Sequence, residues 1–147
     1  MMIVFKTEQA HQHKESIVNL LKQNKLPFAD LPAGLEHFII IKQAEKLIGA
    51  AGLEIYNQYG LLRSLVVDEK SRGNGAAAHL LSAIENIAHQ KCIKTIYLFT
   101  ETAENYFRLK GFKTISRNNV PIELQQSSEF SYACPQSAIV MYKNILK

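Results

Sequence analysis

The clearest chemical signal in the sequence is the short run of small residues and one arginine at positions 72–77 (RGNGAA). An apolar segment precedes the run, and an amphipathic helix is predicted to begin inside it. Small residues let the backbone approach a ligand closely, and the first turn of a helix presents N–H groups and a positive dipole end to an anion. Arg72 can add a charge-assisted hydrogen bond. The run therefore predicts a cradle for a pyrophosphate group.

Two common phosphate-binding motifs are not completed by this run. A P-loop ends in Gly-Lys-Ser or Gly-Lys-Thr, and the dinucleotide fingerprint reads Gly-x-Gly-x-x-Gly; residues 72–77 match neither. Taken alone, the run is more compatible with a glycine-rich turn that only reverses the chain. Its meaning therefore depends on the elements that surround it.

The first half of the chain predicts a helix followed by antiparallel strands. Apolar residues at helical spacing indicate a helix over 11–25 that Pro27 stops, and an irregular loop follows over 28–36. Three predicted strands are joined by short turns, which favours an antiparallel meander. These strands cover residues 37–42, 46–56 and 61–67.

The second half alternates helices and strands. Residues 75–91 form a strongly amphipathic pattern, and a short apolar strand at 95–100 follows it. Thr102 is expected to cap a helix over 103–110, which Gly111 closes. Strand candidates at 112–116 and 137–145 follow, separated by a polar segment. The order predicts an α/β fold: a mixed sheet with antiparallel N-terminal strands, a parallel crossover and helices on both faces.

Composition narrows the class of protein. The chain has 147 residues, 47% of them hydrophobic, which fits a single domain over residues 1–147. It has neither a signal peptide pattern nor an apolar run of about 18 residues, so we expect a cytoplasmic protein without membrane contact. A net charge of +4 suits an anionic ligand. Basic residues do not alternate with aromatic residues as in nucleic-acid-binding segments, so no nucleic-acid partner is predicted.

Cysteine and histidine residues indicate no metal site. Cys92 and Cys134 are far apart without C-x-x-C spacing, and the five histidines show no ligand spacing. The apolar neighbours of Cys92 predict a small core residue. His79 and His89, in the predicted helix after the run, are expected at the surface.

In this context the sequence resembles the GNAT superfamily of N-acetyltransferases. The acetyl-CoA motif of that family, Arg/Gln-x-x-Gly-x-Gly/Ala between a strand and a helix, is matched by Arg72, Gly75 and Ala77. The resemblance implies that acetyl-CoA is the co-substrate, that no metal is needed, and that loop N–H groups hold the pyrophosphate while the preceding strand pairs with the pantetheine arm. The cofactor-binding residues it implies are Leu65, Val66, Val67, Arg72, Gly73, Asn74, Gly75, Ala76, Ala77 and Phe107.

A second resemblance suggests the acceptor. Residues 98–112 are similar to the corresponding segment of N-acetylglutamate synthase acetyltransferase domains, and residues 134–138 are closer to arsenic-resistance-associated N-acetyltransferases. These likenesses imply an amino acid or an amino-acid analogue as the acceptor amine. The glutamate synthases carry Arg-Ser-Lys where this chain has Gln136-Ser137-Ala138, and the loss of those charges argues against glutamate itself.

The catalytic residues depart from the family pattern. Many GNAT enzymes place a general-acid tyrosine where this chain has Phe107, and some place a general-base glutamate where it has Leu61. Tyr106 is adjacent but rotated by about 100° on a helix. We name Tyr106 as the candidate acid and Glu54, in the neighbouring strand, as the candidate base. A solvated carboxylate is the competing interpretation of Glu54, Glu101 is a further candidate base, and ordered water is an alternative to both.

Two arginines are candidates for recognising an acceptor carboxylate. Arg63 lies mid-strand among apolar residues, where a charge is costly unless it is paired. Strand alternation is expected to place it on one face with Leu61, Leu65 and Val67. A substrate pocket and a structural ion pair are equally good interpretations of Arg63, and we predict the first. Arg117 follows the last helix–strand unit, where it either closes on substrate or is solvated.

The sequence thus predicts acetyl transfer from acetyl-CoA to a small-molecule amine. Backbone N–H groups of the strand before the motif are expected to hold the developing oxyanion, without an acyl-enzyme. Two alternatives stay open: a non-catalytic acyl-CoA-binding module, which the missing tyrosine and glutamate favour, and an acetyltransferase acting on a protein amine. A homodimer is a further open alternative.

Overall fold

A computed structural model describes residues 6–10, 12–26, 28–29, 31, 34–127 and 138–145. Its strands are β1 (Lys6–Gln9), β2 (Phe38–Gln43), β3 (Lys46–Tyr56), β4 (Tyr59–Val67), β5 (Thr95–Thr100), β6 (Lys113–Ile115) and β7 (Ile139–Asn144). Its α-helices are α1 (Lys14–Gln23), α2 (Ala76–Gln90), α3 (Glu104–Leu109) and α4 (Ile122–Gln125). Short 3-10 turns cover Glu69–Ser71 and Arg117–Asn119.

The strands form a mixed sheet of the predicted class, in the order β1-β2-β3-β4-β5-β7-β6. Contacts group the chain into two compact units, one comprising Met1–Leu53 and Ser64–Ile87, the other Glu54–Arg63 and Ala88–Lys147. The strands β3 and β4 contribute residues to both units.

The first unit contains the antiparallel part of the sheet. β1 pairs with β2 and β2 pairs with β3, both antiparallel. The β2–β3 pairing is the one that the predicted meander contained. The β2–β3 turn is tight because Ala44 and Glu45 both take left-handed backbone angles, φ 50° and 67°, which suit the right-handed twist of a hairpin. In the core of the first unit, the apolar face of α1, with Ile17 and Leu21, packs against strand residues that include Ile40 of β2.

The second unit contains the parallel strand pair. β4 pairs parallel with β5 over Tyr59–Leu61 and Thr95–Tyr97, and β7 pairs antiparallel with both β5 and β6. A parallel pair needs a crossover connection, which the α2 segment provides. Tyrosine-rich packing forms the core of this unit, with Leu61, Tyr97, Val120, Leu124 and Val140 buried and Tyr56, Tyr59, Phe99, Ile115 and Tyr142 packed around them.

Most predicted elements are confirmed to within two or three residues, and the differences have local causes. β1 was not predicted because its sequence, KTEQ, has no apolar alternation; it forms by pairing along β2. The predicted helix over 11–25 is shorter, because α1 ends at Gln23 and Lys25 adopts φ 58° in a Schellman motif, with Leu26 N–H bonded to Leu21 O at 3.0 Å. Pro27 lies outside the described residues. The short helix α4 was also missed.

The prediction that Cys92 is a core residue is wrong. Cys92 is exposed and has φ 58°, because it occupies the left-handed position that ends α2. The next residue, Ile93, completes the Schellman motif through its N–H to Ala88 O at 2.9 Å, and Ile93 is the buried one. His79 and His89 are exposed, as predicted. Cys134 lies outside the described residues.

Two classes of feature are absent from the described part of the chain. No helix there has both the length and the hydropathy needed to cross a bilayer. Among the same residues, histidine, cysteine, aspartate and glutamate side chains nowhere form a group of three or more able to hold a metal ion.

Candidate cofactor loop and acceptor residues

The loop at residues 72–77 leads directly into the longest described helix. β4 ends at Val67, the Glu69–Ser71 turn follows, and α2 begins at Ala76. The carbonyl of Gly75 accepts the first helical hydrogen bond, from His79 N–H at 3.0 Å, so Gly75 is the N-cap residue. Glycine has no side chain to cap the next N–H groups. The first turn of α2 is therefore suited to receive an anionic ligand instead.

The backbone of the loop requires its glycines. Gly73 has φ 85° and Gly75 has φ 87°, conformations that other residues rarely adopt. A Cβ atom built at either position would meet no described atom within 4 Å. The two glycines thus border open space, which fits the approach of a pyrophosphate group to the backbone.

Arg72 is exposed but held at two points. Its Nε donates to Val67 O at 3.0 Å, and its Nη2 donates to Asn24 Oδ1 at the end of α1. Asn74 beside it is exposed, whereas Ala76 is buried and Ala77 half-buried at the start of α2. The small side chains of Ala76 and Ala77 allow the first turn of α2 to pack closely, with its N–H groups at the end of the helix that adjoins the loop.

The strand before the loop contains an irregularity that sequence reasoning missed. Ser64, in the middle of β4, has φ 59°. A left-handed residue inside a strand is typical of a β-bulge, which bends the strand and changes the direction of the following side chains. The expected alternation of Leu61 and Arg63 with Leu65 and Val67 on one face therefore does not hold, because it cannot be continued through Ser64.

The cofactor residues expected on β4 follow this bulge. Val66 and Val67 are buried and Leu65 is half-buried. Close packing surrounds the strand, since a Cβ atom added at Gly49 would lie 2.8 Å from Val66 O. Backbone N–H groups are the donors that an acyl carbonyl oxygen needs, and the contact of this strand with an acyl group stays a prediction.

In the second unit, the candidate base Glu54 and the candidate substrate residue Arg63 form an ion pair. Arg63 Nη1 lies 2.9 Å from Glu54 Oε2, and the two side chains are 1% and 11% exposed. The other oxygen, Oε1, accepts a hydrogen bond from Tyr56 Oη at 2.5 Å. The structure thus shows the ion pair that was the alternative interpretation of Arg63. The sequence analysis did not identify Tyr56 as a hydrogen-bond partner of Glu54, although the spacing of two residues places both on the same face of β3.

The candidate acid Tyr106 lies on α3 with its hydroxyl buried. Its oxygen has no hydrogen-bond partner among the described residues. The ring meets Phe107 edge to face at 5.3 Å between centroids, and Phe107 in turn packs on Phe112. Burial raises the pKa of the Tyr106 hydroxyl above its ordinary value of about 10. Phe107 is buried in this aromatic group, and its contact with the cofactor stays a prediction.

The start of α3 corrects the expected cap. Thr102 is exposed, and it is Thr100 Oγ1 that accepts the N–H of Ala103, the N-cap residue, at 2.9 Å. Thr100 lies three residues before the donor N–H of Ala103, the spacing at which a threonine hydroxyl can accept a hydrogen bond from the first turn. Gly111 has φ 97° after the helix, as predicted for its end.

Arg117 lies beside an aromatic ring. Its guanidinium is 5.2 Å from the centre of the Phe99 ring, and Nη2 donates to Ala138 O at 3.4 Å. Arg117 is half-buried, whereas the other candidate base, Glu101, is exposed. Gln136 and Ser137, which were compared with charged positions of the glutamate synthases, lie outside the described residues, whereas Ala138 is described and buried.

Comparisons with known proteins identify the family of the chain. Residues 5–112 match the acetyltransferase (GNAT) family. The citrate [pro-3S]-lyase ligase of Escherichia coli is 28% identical over 101 residues, which are 68% of this chain and 27% of the ligase.

Solved structures share the fold. N-acetylglutamate synthase from Neisseria gonorrhoeae, complexed with coenzyme A and N-acetyl-glutamate, superposes with a TM-score of 0.81 at 16% identity, over 100% of this chain and 36% of that one. The PaiA N-acetyltransferase from Thermoplasma acidophilum, in complex with coenzyme A, has a TM-score of 0.74 at 14% identity, over 97% and 100%. The chain thus spans about a third of the synthase and about a quarter of the ligase. With its family match covering most of its length, this chain belongs to the acetyltransferase (GNAT) family.

Proposed function

We propose that the protein transfers the acetyl group of acetyl-CoA to the amine of a small molecule, an amino acid or an amino-acid analogue. The observation that carries the proposal is Gly75 at the N-cap of the 15-residue helix α2, a residue that has no capping side chain of its own and borders open space. Membership of the acetyltransferase family supports the pyrophosphate of coenzyme A as the anion that would bind there.

The chain's own residues supply the binding of the co-substrate. The N–H groups at the start of α2 and the guanidinium of Arg72 would hold the pyrophosphate, and the backbone of Leu65–Val67 would hold the acyl end. Acetyl-CoA brings a thioester whose carbonyl the amine attacks. The backbone around the Ser64 bulge, φ 59°, is suited to stabilise the oxyanion that develops there.

Proton transfer is proposed to involve Tyr106 and water. Only the neutral amine attacks the thioester, so the ammonium form of the acceptor must first lose a proton to a side chain or to water. Glu54 already accepts hydrogen bonds from Arg63 and Tyr56, which favours a structural carboxylate with water as the immediate acceptor. The buried hydroxyl of Tyr106 keeps its proton at neutral pH and is suited to protonate the leaving thiolate.

Two arginines and the structural likeness to N-acetylglutamate synthase support an amino-acid acceptor with a carboxylate. A guanidinium suits bidentate binding of a carboxylate, and Arg117 is half-buried over Phe99, where a charged contact is stronger than in bulk water. The structural likeness to N-acetylglutamate synthase supports an amino-acid acceptor. Arg63 is a second candidate, although its described partner is Glu54.

A binding and turnover experiment tests the proposal. Coenzyme A, NAD and ATP are titrated calorimetrically, and thiol release from acetyl-CoA is measured with amino acids, their phosphono and arseno analogues, and matched amines without a carboxylate. We expect coenzyme A to bind in preference to the other nucleotides and turnover to favour acidic acceptors. Binding without turnover on any amine would favour the acyl-CoA-binding module, and turnover on peptide N-termini alone would favour a protein acceptor.

Two loop variants locate the site. Gly75→Ala and Gly75→Glu share the strain of a side chain at φ 87°, but only glutamate adds bulk and a negative charge facing the pyrophosphate. We expect Gly75→Glu to lose binding of coenzyme A and Gly75→Ala to weaken it less. Gly34→Glu, at an exposed glycine with open space around it, controls for the added charge. Normal affinity in Gly75→Glu would place the cradle elsewhere.

A further inference from the structure

A single asparagine at the end of α1 connects that helix to the cofactor loop. We propose that Asn24 is a positioning residue for Arg72, and through it for the pyrophosphate of coenzyme A. The inference rests on the proposed function, because it takes residues 72–77 as the pyrophosphate site. It assigns a role in cofactor binding to a residue outside the loop, 48 positions earlier in the chain.

The amide of Asn24 is fixed in one orientation. Its Nδ2 donates to Leu20 O at 2.9 Å, and its Oδ1 accepts from Arg72 Nη2. Leu20 O belongs to the last turn of α1, where carbonyls have no helical donor. The reversed amide would place its NH₂ against the guanidinium and its oxygen against a carbonyl, so both contacts would become repulsive. Asn24 therefore presents an oxygen, and not a nitrogen, to Arg72.

Arg72 is held by two separated acceptors. Its Nε donates to Val67 O at 3.0 Å, so the base of the guanidinium is bound to the end of β4, while Nη2 is bound to Asn24. These contacts use two of the five N–H donors of an arginine. An exposed arginine that is already fixed loses less conformational freedom when a ligand binds. The two acceptors thus prepare the remaining donors of Arg72 for a phosphate oxygen.

A purely structural link between α1 and the loop is the competing interpretation. A cation near the C-terminus of α1 is favoured by the helix dipole, so the contact would stabilise the fold even without a ligand. The two roles predict different results. A structural link affects unfolding and leaves ligand affinity unchanged in the folded protein, whereas a positioning residue affects the affinity for ligands that contain a pyrophosphate, and does so only when Arg72 is present.

The test is a double-mutant cycle measured by calorimetric titration of the intact protein. Asn24→Ala, Arg72→Ala and the double variant are titrated with coenzyme A and with dephospho-coenzyme A, which keeps the pyrophosphate and lacks the 3′-phosphate. We expect Asn24→Ala to raise the Kd of both ligands about two- to tenfold, the effect of one hydrogen bond. In the Arg72→Ala background the same change is expected to have no effect on Kd.

Gln23→Ala is the matched control, since Gln23 is the exposed neighbour of Asn24 in the last turn of α1. Circular dichroism and thermal unfolding confirm that each variant is folded at the titration temperature. An unchanged Kd in Asn24→Ala, or an equal loss with and without Arg72, would overturn the inference while leaving the proposed function intact. A loss confined to coenzyme A would assign the effect to the 3′-phosphate and also overturn it. Failure of the unmodified protein to bind coenzyme A would refute both proposals.

Discussion

Replacing Arg63 by alanine is expected to destabilise the protein more than it alters acceptor selection. Arg63 and Glu54 are 1% and 11% exposed and their charged atoms are 2.9 Å apart. Removing the arginine leaves a largely buried carboxylate with Tyr56 as its remaining described partner. Loss of one member of a buried ion pair typically costs about 3–5 kcal/mol, because the other charge stays buried without compensation. For a chain of this length we expect Tm to fall by roughly 6–20 °C.

The assay combines thermal unfolding with kinetics. Arg63→Ala, Glu54→Gln and the double variant form a cycle in which the coupling free energy reports the pair. Arg63→Lys keeps the positive charge but loses the planar guanidinium with its paired N–H donors, so a smaller fall in Tm is expected than for Arg63→Ala. Arg108→Ala is the control, because Arg108 pairs with Glu104 on the surface of α3, with side chains 56% and 34% exposed. An exposed pair of this kind contributes about 0.5 kcal/mol or less.

Steady-state kinetics distinguish the pair from a substrate contact. If Arg63 binds an acceptor carboxylate, its loss should remove a charged hydrogen bond of about 1.5–3 kcal/mol and lower kcat/KM roughly tenfold to 150-fold, for acidic acceptors alone. If it is structural, acidic and uncharged acceptors should be affected alike in the protein that remains folded. An Arg63→Ala variant with unchanged Tm and a loss of activity limited to acidic acceptors would refute the structural reasoning and support the substrate role.

Two further predictions concern α3. Because burial raises the pKa of Tyr106 above about 10, the protonated hydroxyl persists through neutral pH, and kcat should fall only as pH rises through that pKa. Tyr106→Phe should lower kcat modestly and remove this alkaline dependence. Full activity of the variant at every pH would make Tyr106 a packing residue. Thr100→Val removes the acceptor for Ala103 N–H and should cost about 1 kcal/mol in the free energy of unfolding, measured in urea beside Thr102→Val, which we expect to be neutral.

The elements around the cofactor loop could be predicted because their patterns are local. The apolar positions of α2 recur at helical spacing, and the run at 72–77 contains glycines at the two positions that adopt φ above 80°. β1 shows the limit of this reasoning, because a polar strand is recognisable only by its partner β2. The bulge at Ser64 is similar: serine has no preference for φ 59°, so the conformation depends on packing around β4 and not on the residue itself.

The acceptor residues were harder to predict than the cofactor loop for a physical reason. In the proposed site, backbone N–H groups would hold most of the pyrophosphate, and the requirement they impose, small residues before a helix, is visible in consecutive positions. Acceptor recognition depends on side chains from distant positions, and the role of each depends on which partner folding brings to it. Arg63 shows this: its sequence context was compatible with both a pocket and an ion pair, and the choice depended on Glu54, nine residues away.

The same distinction explains why positioning residues are missed at the sequence level. Three residues of this kind are Asn24, Tyr56 and Thr100. Each presents a hydrogen-bonding atom to a group to which the sequence already suggested a functional or structural role. Each is also common at the place where it occurs: asparagine at a helix end, tyrosine in a strand, threonine before a helix. The local role of each residue is sufficient to account for its type, so a hydrogen bond to a distant segment is needed to indicate function. For Asn24 that distant partner is Arg72, and this is why its role is measurable as a change in ligand affinity that disappears when Arg72 is removed.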